Sequence, residues 1–270
     1  MVLEVCVDSL ASALAAERGG ADRVELCSDL LEGGITPSAG LLATIREQIK
    51  IDIYAMVRPR GGDFCYDEGE LQVMRSEIAH LRSLGANGLV FGLLKEDGKV
   101  DVARTRELIE LARPLSVTFH RAIDMTPDPL AALEAVIEAG ADRVLTSGGA
   151  PKALEGAAML RAMLESAKGQ IEMIAASGLR PNNLLQLAEK TGLREFHASL
   201  RHLVASRSIY RKLELTMGEF AEREFVQFQT SEAEVRAMVE VLSRLAKKRE
   251  AARGADVCAS VETTVSKAER

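Results

Sequence analysis

Residues 115–124, LSVTFHRAID, place an imidazole, a guanidinium and a carboxylate directly after a run of apolar and β-branched side chains. Near neutral pH, the imidazole of His120 can serve as a general acid, a general base or a metal ligand. Asp124 follows four residues later and could orient it, and Arg121 lies between them. The carboxyl end of a buried strand is a common position for a site in α/β proteins. We therefore interpret these residues as candidates for proton transfer and ligand binding.

A second pattern, Glu-x-Cys, occurs twice near the amino terminus, as Glu4 with Cys6 and as Glu25 with Cys27. Alternate side chains of a strand share one face, so neighbouring strands in similar register would bring the two thiols together. Two thiolates form a soft site that suits Cu(I) or Zn(II). Buried free cysteines also serve as small apolar side chains, and both interpretations stay open. A carboxylate inside a barrel is costly unless it is paired or used, which makes Glu25 a functional candidate.

The segment RPRGGDF is a candidate anion-binding loop. Arg58 and Arg60 carry guanidinium groups at alternate positions, which suit a phosphate or a carboxylate, and Asp63 lies in the same loop. Glycines in this loop would let its backbone approach a ligand closely. The alternative is that the two arginines only neutralise Glu4 and Glu25. The sequence alone does not decide between these interpretations.

Two further strand-end segments contribute candidates. Ser147, Gly148 and Gly149 follow the run RVLT and can present backbone N–H groups to an anion beside a helix start. His197, in the segment EFHAS, is a second imidazole on a strand and a candidate for ligand binding. Together with the preceding segments, these residues predict a site built from the ends of several strands.

The elements that position these residues alternate along the chain. Strand-like runs lie near residues 2–7, 23–27, 51–57, 88–94, 115–119, 143–146, 171–175 and 195–199. Helical patterns lie between them near residues 9–18, 37–48, 68–84, 101–112, 127–139, 152–167 and 181–191. This alternation predicts an α/β protein with a parallel sheet. Near copies of Gly-Ala-Asp-Arg-Val before every second strand favour a (β/α)8 TIM barrel over a doubly wound sheet, which lacks its G-x-G-x-x-G signature here.

We predict that residues 1–205 form the barrel core. The segment RHLVASRSIYRKLE is expected to continue as the closing helix. Residues 206–252 are interpreted as a partly helical extension, because Ser231 and Glu234 resemble a capping box. Residues 253–270 are small, polar and aperiodic, which is typical of a disordered tail.

Composition narrows the classes of partner. A net charge of −6 and an isoelectric point near 5.5 argue against nucleic acid, which selects basic surfaces. No apolar run approaches the ~20 residues needed to span a bilayer, so no membrane partner is expected. The amino terminus lacks the pattern of an export signal, and four cysteines without a small-domain spacing fit free thiols, so a cytoplasmic location is expected. A homo-oligomer is among the assemblies that the sequence allows.

Eight motifs follow one another in a specific order. They are LEVC (3–6), GADRVELC (20–27), GGITPS (33–38), RPRGGDF (58–64), GLVFG (88–92), TFHRAID (118–124), RVLTSGG (143–149) and EFHAS (195–199). In this combination the chain resembles the CutC family, which is named for copper homeostasis and has a (β/α)8 barrel fold. The resemblance covers about residues 2–202 and depends on the order and number of the motifs.

The resemblance implies cytoplasmic copper handling, with Cu(I) as the bound metal and cysteines as its ligands. Those ligands would be Cys6 and Cys27, the two thiols that the strand pattern also pairs. One position departs from the family, which usually has a glycine triplet after the seventh strand where this chain has Ala176-Ser177-Gly178. Only one glycine is left there, which weakens the expectation that this backbone binds an anion.

Two hypotheses from different classes therefore stay open. In the first, the protein binds copper and buffers or carries it. In the second, a TIM-barrel enzyme acts by acid–base chemistry on a small phosphorylated or carboxylated molecule held by Arg58 and Arg60. The residues expected to transfer protons in such an enzyme are Glu25, His120 and Asp124.

Overall fold

A computed structural model describes the backbone of residues 1–217 and 223–268, and the side chains of residues 1–217 and 223–251. Eight parallel strands pair in sequence order, and the last pairs with the first, so that the sheet closes into a barrel. The strands are β1 (Val2–Val7), β2 (Arg23–Leu26), β3 (Asp52–Met56), β4 (Gly88–Phe91), β5 (Ser116–Phe119), β6 (Arg143–Thr146), β7 (Glu172–Ala175) and β8 (Glu195–Ala198). The predicted (β/α)8 fold is confirmed.

Seven helices follow the first seven strands. They are α1 (Leu10–Gly19), α2 (Ala39–Gln48), α3 (Glu68–Ser83), α4 (Val102–Ala112), α5 (Pro129–Ala139), α6 (Ala157–Ala167) and α7 (Pro181–Thr191). Side chains cap the first turn of several of them, as in the capping box of Asp67 and Glu70 at the start of α3. A short 3-10 helix, Arg121–Met125, lies between β5 and α5.

The repeated Gly-Ala-Asp motif has a structural role at each copy. Its glycine ends the preceding helix in the left-handed conformation, with φ of 91° at Gly20 and 93° at Gly140. The Asp or Asn side chain at the third position of the motif then accepts a hydrogen bond from the backbone of the preceding odd-numbered strand. These bonds run from Leu3 N to Asp22 at 2.7 Å, from Ile53 N to Asn87 at 2.9 Å and from Val117 N to Asp142 at 2.7 Å. The repeat therefore joins odd and even strands in pairs.

The segment after β8 differs from the sequence-based expectation. Instead of a closing helix, β9 (Arg201–Ala205) pairs antiparallel with β10 (Val226–Thr230). The prediction of a helix was wrong because the distant strand β10 supplies a pairing partner that local periodicity does not reveal. Helix α8 (Glu232–Ala268) covers the barrel instead, packing against α1 and α7. Its first turn is capped by Ser231, whose hydroxyl accepts from Glu234 N at 3.3 Å, as the capping-box pattern indicated.

The backbone of α8 is helical as far as Ala268, beyond residue 252, where the sequence pattern indicated that the extension ends. Between residue 252 and Ala268 the sequence contains a single glycine, Gly254, and no proline. Its composition is therefore compatible with a continuous helix. The side chains of 252–270 lie outside the described residues. The division into 1–205, 206–252 and 253–270 stays a prediction.

The two faces of the barrel strands differ in chemistry. Along β1, Leu3, Val5 and Val7 belong to the apolar layer between strands and helices. The alternate residues Glu4 and Cys6 are also buried and face the barrel interior. This interior is therefore partly polar, and it opens at the carboxyl ends of the strands. Among the described residues, no helix combines the length and apolar character needed to cross a bilayer.

Candidate functional site at the mouth of the barrel

A cavity of about 490 Å³ opens where the carboxyl ends of the strands meet. Most of the predicted site residues line it, namely Cys6, Glu25, Arg58, His120, Arg121, Asp124 and His197. The other predicted site residues, Cys27, Arg60, Asp63, Ser147, Gly148 and Gly149, do not line it. Its volume suits a small organic molecule, since ligand cavities commonly measure about 300–1,000 Å³.

The two thiols lie together on neighbouring strands, with their Sγ atoms 3.9 Å apart. Parallel pairing places Cys6 opposite Glu25. The carboxylate oxygen Oε2 of Glu25 lies 3.2 Å from the Sγ atom of Cys6 and 3.5 Å from that of Cys27. Cys27 is fully buried beneath Gly34, where an added Cβ would lie 3.0 Å from the sulfur. Cys6 is thus the thiol that faces the cavity.

A buried charge network extends from the thiols to the strand that closes the barrel. His197 Nδ1 lies 2.7 Å from Glu4 Oε1, and its Nε2 lies 3.8 Å from Glu25 Oε2. The guanidinium of Arg23 donates hydrogen bonds both to Glu4 and to Glu195. Two overlapping sets of metal-ligating groups result, each with its atoms within 4.8 Å of one another. They are Cys6, Glu25 and Cys27, and Glu4, Glu25 and His197.

The protonation states of the thiol pair follow from this proximity. The hydrogen bond from Cys27 lowers the pKa of Cys6 to about 5. The same hydrogen bond, together with burial, raises the pKa of Cys27 well above its ordinary value. Burial and the negative charge at Cys6 raise the pKa of Glu25. Near neutral pH the pair therefore carries one proton and one negative charge.

The positive charges near the thiol pair lie in the adjoining network of Glu4, Arg23 and His197. Burial would raise the pKa of Glu4, but Arg23 and His197 outweigh burial and lower it to about 2. Burial would lower the pKa of His197, but the acidic groups around it, Glu25, Cys6 and Glu4, raise it well above its ordinary value. His197 is thus held as a cation beside the thiol pair.

Arg58 is buried and binds backbone carbonyl groups rather than the interior glutamates. Its Nη1 donates to the carbonyl oxygens of Glu32 at 2.7 Å and Gly34 at 3.0 Å, and its Nη2 donates to Gly62 at 2.7 Å. The guanidinium lies over the ring of Phe64, 4.9 Å from its centroid. The interpretation that Arg58 neutralises Glu4 and Glu25 is therefore wrong, because Arg23 and His197 occupy that position.

Arg60 and Asp63 lie outside the cavity, although they were predicted to bind the ligand. Arg60 forms ion pairs with Glu70 of α3, at 2.5 Å, and with Asp63, at 3.1 Å. Its guanidinium also lies over Tyr66. The turn after Arg58 directs these groups toward the start of α3, so the two arginines at alternate positions do not form one anion clamp.

His120 is buried at the opposite side of the cavity from the thiols. Its Nδ1 accepts a hydrogen bond from Ala122 N at 3.3 Å, and its ring packs edge-on against Phe64 with the centroids 4.8 Å apart. Space for the ring depends on Gly92, where a Cβ would lie 2.6 Å from His120 Nδ1. Burial and the positive charge of Arg58 lower the pKa of His120 to about 3.

Asp124 binds the loop after β6 rather than His120. The hydrogen bonds to its carboxylate come from Thr146 Oγ1 at 2.6 Å, Ser147 N at 3.0 Å, Ser147 Oγ at 3.0 Å, Gly149 N at 3.0 Å and Arg121 Nε at 2.8 Å. Gly148 N donates instead to Thr146 Oγ1 at 2.9 Å. The backbone donors that we predicted for a ligand anion are thus already used within the chain, two of them by the carboxylate of Asp124.

The position at which the chain departs from the family pattern keeps a glycine-like backbone. Ser177 has φ of 81°, in the left-handed region that side chains rarely adopt. Its hydroxyl donates to the carbonyl of Pro151 at 2.7 Å, and its own carbonyl accepts from Ala153 N at 3.1 Å. These bonds hold a turn that a glycine would adopt without strain.

Sequence reasoning missed Arg23 and Thr146 as members of the site. Arg23 is on the same face of β2 as Glu25, so the alternation that selected Glu25 could have selected it as well. Thr146 ends β6 directly before the predicted Ser147. Its role depends on the approach of Asp124 from the preceding unit, for which the sequence carries no local signal.

Comparisons with known proteins identify the family of the chain. The model of the CutC family matches residues 1–202. A CutC family protein of Chromobacterium violaceum is 49% identical over 243 residues, which cover 90% of this chain and 98% of that protein. The human copper homeostasis protein cutC homolog is 48% identical over 217 residues, which cover 80% of this chain and 80% of that protein.

A solved structure shows the same fold. The CutC protein of Streptococcus agalactiae superposes with a TM-score of 0.71 at 28% identity, over 74% of this chain and 98% of that one. The family match covers the barrel strands and includes every residue of the thiol pair and the charge network. The chain belongs to the CutC family.

Proposed function

We propose that Cys6 and Cys27 bind one Cu(I) ion and that the protein acts in copper homeostasis in the reducing environment of the cytoplasm. The observation that carries this proposal is the separation of 3.9 Å between their Sγ atoms. The name of the human relative, copper homeostasis protein cutC homolog, supports the same function. Free, buried thiols are also consistent with a reducing compartment.

The donor set fits a soft monovalent ion. Thiolates select Cu(I), which accepts few ligands. The pair carries a single proton, which Cys27 donates to Cys6. A monovalent ion can replace that proton without changing the net charge of the buried pair. The two soft donors meet the low coordination number of Cu(I), whereas Zn(II) usually takes four ligands.

Titration with Cu(I) against a competing chelator tests the proposal. We expect one ion per chain in the reduced protein and a loss of affinity of at least 100-fold in the variant with both Cys6→Ser and Cys27→Ser. Cys65→Ser is the matched control, because Cys65 is a free thiol that does not line the cavity. Unchanged Cu(I) affinity in the double variant, or tighter binding of Zn(II) than of Cu(I), would contradict the proposal.

A second candidate function is an enzyme that acts on a small anionic molecule by acid–base chemistry. The cavity of about 490 Å³ favours it, because a metal ion occupies only a small part of such a space. Arg58 lines this cavity and has no carboxylate partner within the described part of the chain. Glu25 and His120 would be in contact with the substrate, whereas Asp124 would position the loop after β6. Titration of the protein with small carboxylates or phosphate, monitored by NMR signals of the cavity residues, tests this candidate.

A further inference from the structure

One edge of the His120 ring is bound by the backbone of the chain, and the other is not. A backbone N–H can only donate, so the bond from Ala122 N requires an unprotonated Nδ1. Nδ1 and Cε1 are also the ring atoms nearest to a Cβ built on Gly92, which directly follows the neighbouring strand β4. The ring therefore turns its Nδ1 side toward the protein backbone.

The remaining nitrogen, Nε2, is buried and has no hydrogen-bond partner among the described residues. A neutral imidazole with an unprotonated Nδ1 carries its proton on Nε2. Burial and the charge of Arg58 favour the neutral form, since they lower the pKa of His120 to about 3. The unpaired group is therefore an N–H donor, and it belongs to a residue that lines the cavity. A buried donor without a partner is unfavourable, and an acceptor on a ligand would satisfy it.

The positive charge of Arg58 is the second feature of the cavity that a ligand would recognise. Arg58 and His120 both pack against Phe64, at 4.9 Å and 4.8 Å from its ring centre, so they are close neighbours on one wall of the cavity. The hydrogen bonds of Arg58 go to neutral carbonyl groups, so its positive charge is not neutralised by them. A ligand that complements this wall therefore offers one neutral hydrogen-bond acceptor and one negative charge.

We propose that the wall formed by His120, Arg58 and Phe64 binds a short 2-oxo carboxylate, with its keto oxygen accepting from His120 Nε2–H and its carboxylate beside Arg58. A phosphate fits less well. The loop donors of Ser147 and Gly149 are already bound by Asp124, and the second arginine, Arg60, is paired with Glu70 outside the cavity. The inference rests on the second candidate function for the presence of an organic anion. It is independent of copper binding.

In this role His120 is a hydrogen-bond donor to the ligand oxygen and not a base. A neutral N–H that polarises a carbonyl makes the adjacent C–H more acidic, which is the activation that proton abstraction next to a carbonyl requires.

Pyruvate and propionate form a matched pair of probes, because they differ in the keto oxygen. We expect the folded protein to bind pyruvate about tenfold more tightly than propionate, and His120→Phe to reduce this preference to less than twofold. His202→Phe, on the exposed face of β9, should leave the preference unchanged. Acetone, which lacks the carboxylate, should bind at least tenfold more weakly than pyruvate.

Long-range ¹H–¹⁵N spectra of ¹⁵N-histidine-labelled wild-type protein provide a readout that needs no variant. We expect His120 to carry its proton on Nε2 and this nitrogen to shift on addition of pyruvate. Gly92→Ala, which should displace the ring, is a second variant that keeps the imidazole. A proton on Nδ1, or an Nε2 signal that pyruvate leaves unchanged, would overturn the inference.

The outcomes also separate this inference from the function on which it rests. Equal binding of pyruvate and propionate, or binding of inorganic phosphate without a response at His120, would overturn the 2-oxo carboxylate inference and leave the anionic-substrate function standing. Absence of binding by pyruvate, propionate and phosphate alike would overturn both.

Discussion

Nδ1 of His197 lies 2.7 Å from Oε1 of Glu4, and the two residues are direct neighbours in the pairing of β8 with β1. The strands that close the barrel are thus joined by side chains as well as by backbone hydrogen bonds. The other ring nitrogen of His197 faces Glu25, which contacts both thiols. The closure of the barrel and the arrangement of the candidate metal site therefore depend on the same buried charges.

The first prediction concerns this closure. Glu4→Gln keeps the size of the side chain but removes the negative charge that Arg23 and His197 share, leaving buried positive charge without full compensation. Glu195 still pairs with Arg23, so we expect a loss of about 3 kcal/mol in the free energy of unfolding, at the lower end for a broken buried ion pair. Urea unfolding at pH 7 measures it.

The control for this prediction is Glu68→Gln, since Glu68 forms an exposed pair with Arg75. Surface pairs contribute about 0–1 kcal/mol, so its unfolding midpoint should move little. Equal midpoints for the Glu4 and Glu68 variants would show that the buried network does not stabilise the barrel.

The second prediction concerns the loop after β6. Asp124→Asn replaces one carboxylate oxygen by an NH2 group, which can only donate, so at least one of the bonds from Thr146, Ser147 and Gly149 must be lost. We expect a destabilisation of about 2–3 kcal/mol, because several of these are hydrogen bonds to a charged acceptor. The amide protons of Ser147 and Gly149 should also exchange faster with solvent.

Asp63→Asn serves as the comparison, because Asp63 is an exposed carboxylate on the loop that carries Arg60. It should leave the exchange rates of Ser147 and Gly149 at their wild-type values. Slow exchange at these amides in the Asp124 variant would mean that another group holds the loop.

The third prediction is a dependence of stability on acid. The unfolded imidazole of His120 takes up a proton near pH 6.5, whereas its folded pKa is about 3. Between these values the unfolded state binds more protons, so stability is lost as the pH falls from 6.5 toward 3. From pH 7 to pH 4.5 this loss amounts to about 2–3 kcal/mol, and it should be absent in His120→Phe.

Urea unfolding of the two proteins at both pH values isolates the contribution of His120, because all other titrating groups are shared. The exposed variant His202→Phe corrects for the introduction of a phenylalanine. An identical loss of stability on acidification in wild type and His120→Phe would show that the folded imidazole titrates near its ordinary pKa.

The fourth prediction is the pH dependence of Cu(I) binding. The pKa of Cys6 is about 5, and that of Cys27 is raised well above its ordinary value. Between pH 6 and pH 8 the thiol pair must therefore release one proton when it binds the ion. Affinity should rise about tenfold per pH unit over this range, as measured by chelator competition. A rise of about 100-fold per unit would mean that both thiols begin protonated.

The sequence predicted the barrel because strand-like and helical runs alternate along it and a short motif repeats before every second strand. It failed at the segment RHLVA, where antiparallel pairing with the distant β10 determined the conformation of β9. It also grouped Arg60 and Asp63 with Arg58, although these two residues lie outside the cavity, because spacing within a loop does not reveal where its turn points. Arg58, in the same loop, does line the cavity.

The sequence by itself determined which side chains share a face. The alternation of β1 and β2 placed Glu4, Cys6, Glu25 and Cys27 on the inner face, because a strand has a side-chain period of two whatever surrounds it. Strand ends, marked by a change from apolar to polar residues, likewise located His120 and the serine-glycine loop.

Only the tertiary structure decided which of these side chains bind one another. The pairing of β1 with β2 places Cys6 beside Glu25, and the closure with β8 places His197 beside Glu4. Asp124 reaches the loop after β6 although it precedes that strand in the chain. Such contacts depend on strand register, on barrel closure and on the paths of loops, which are set by the packing of the whole fold and not by local periodicity.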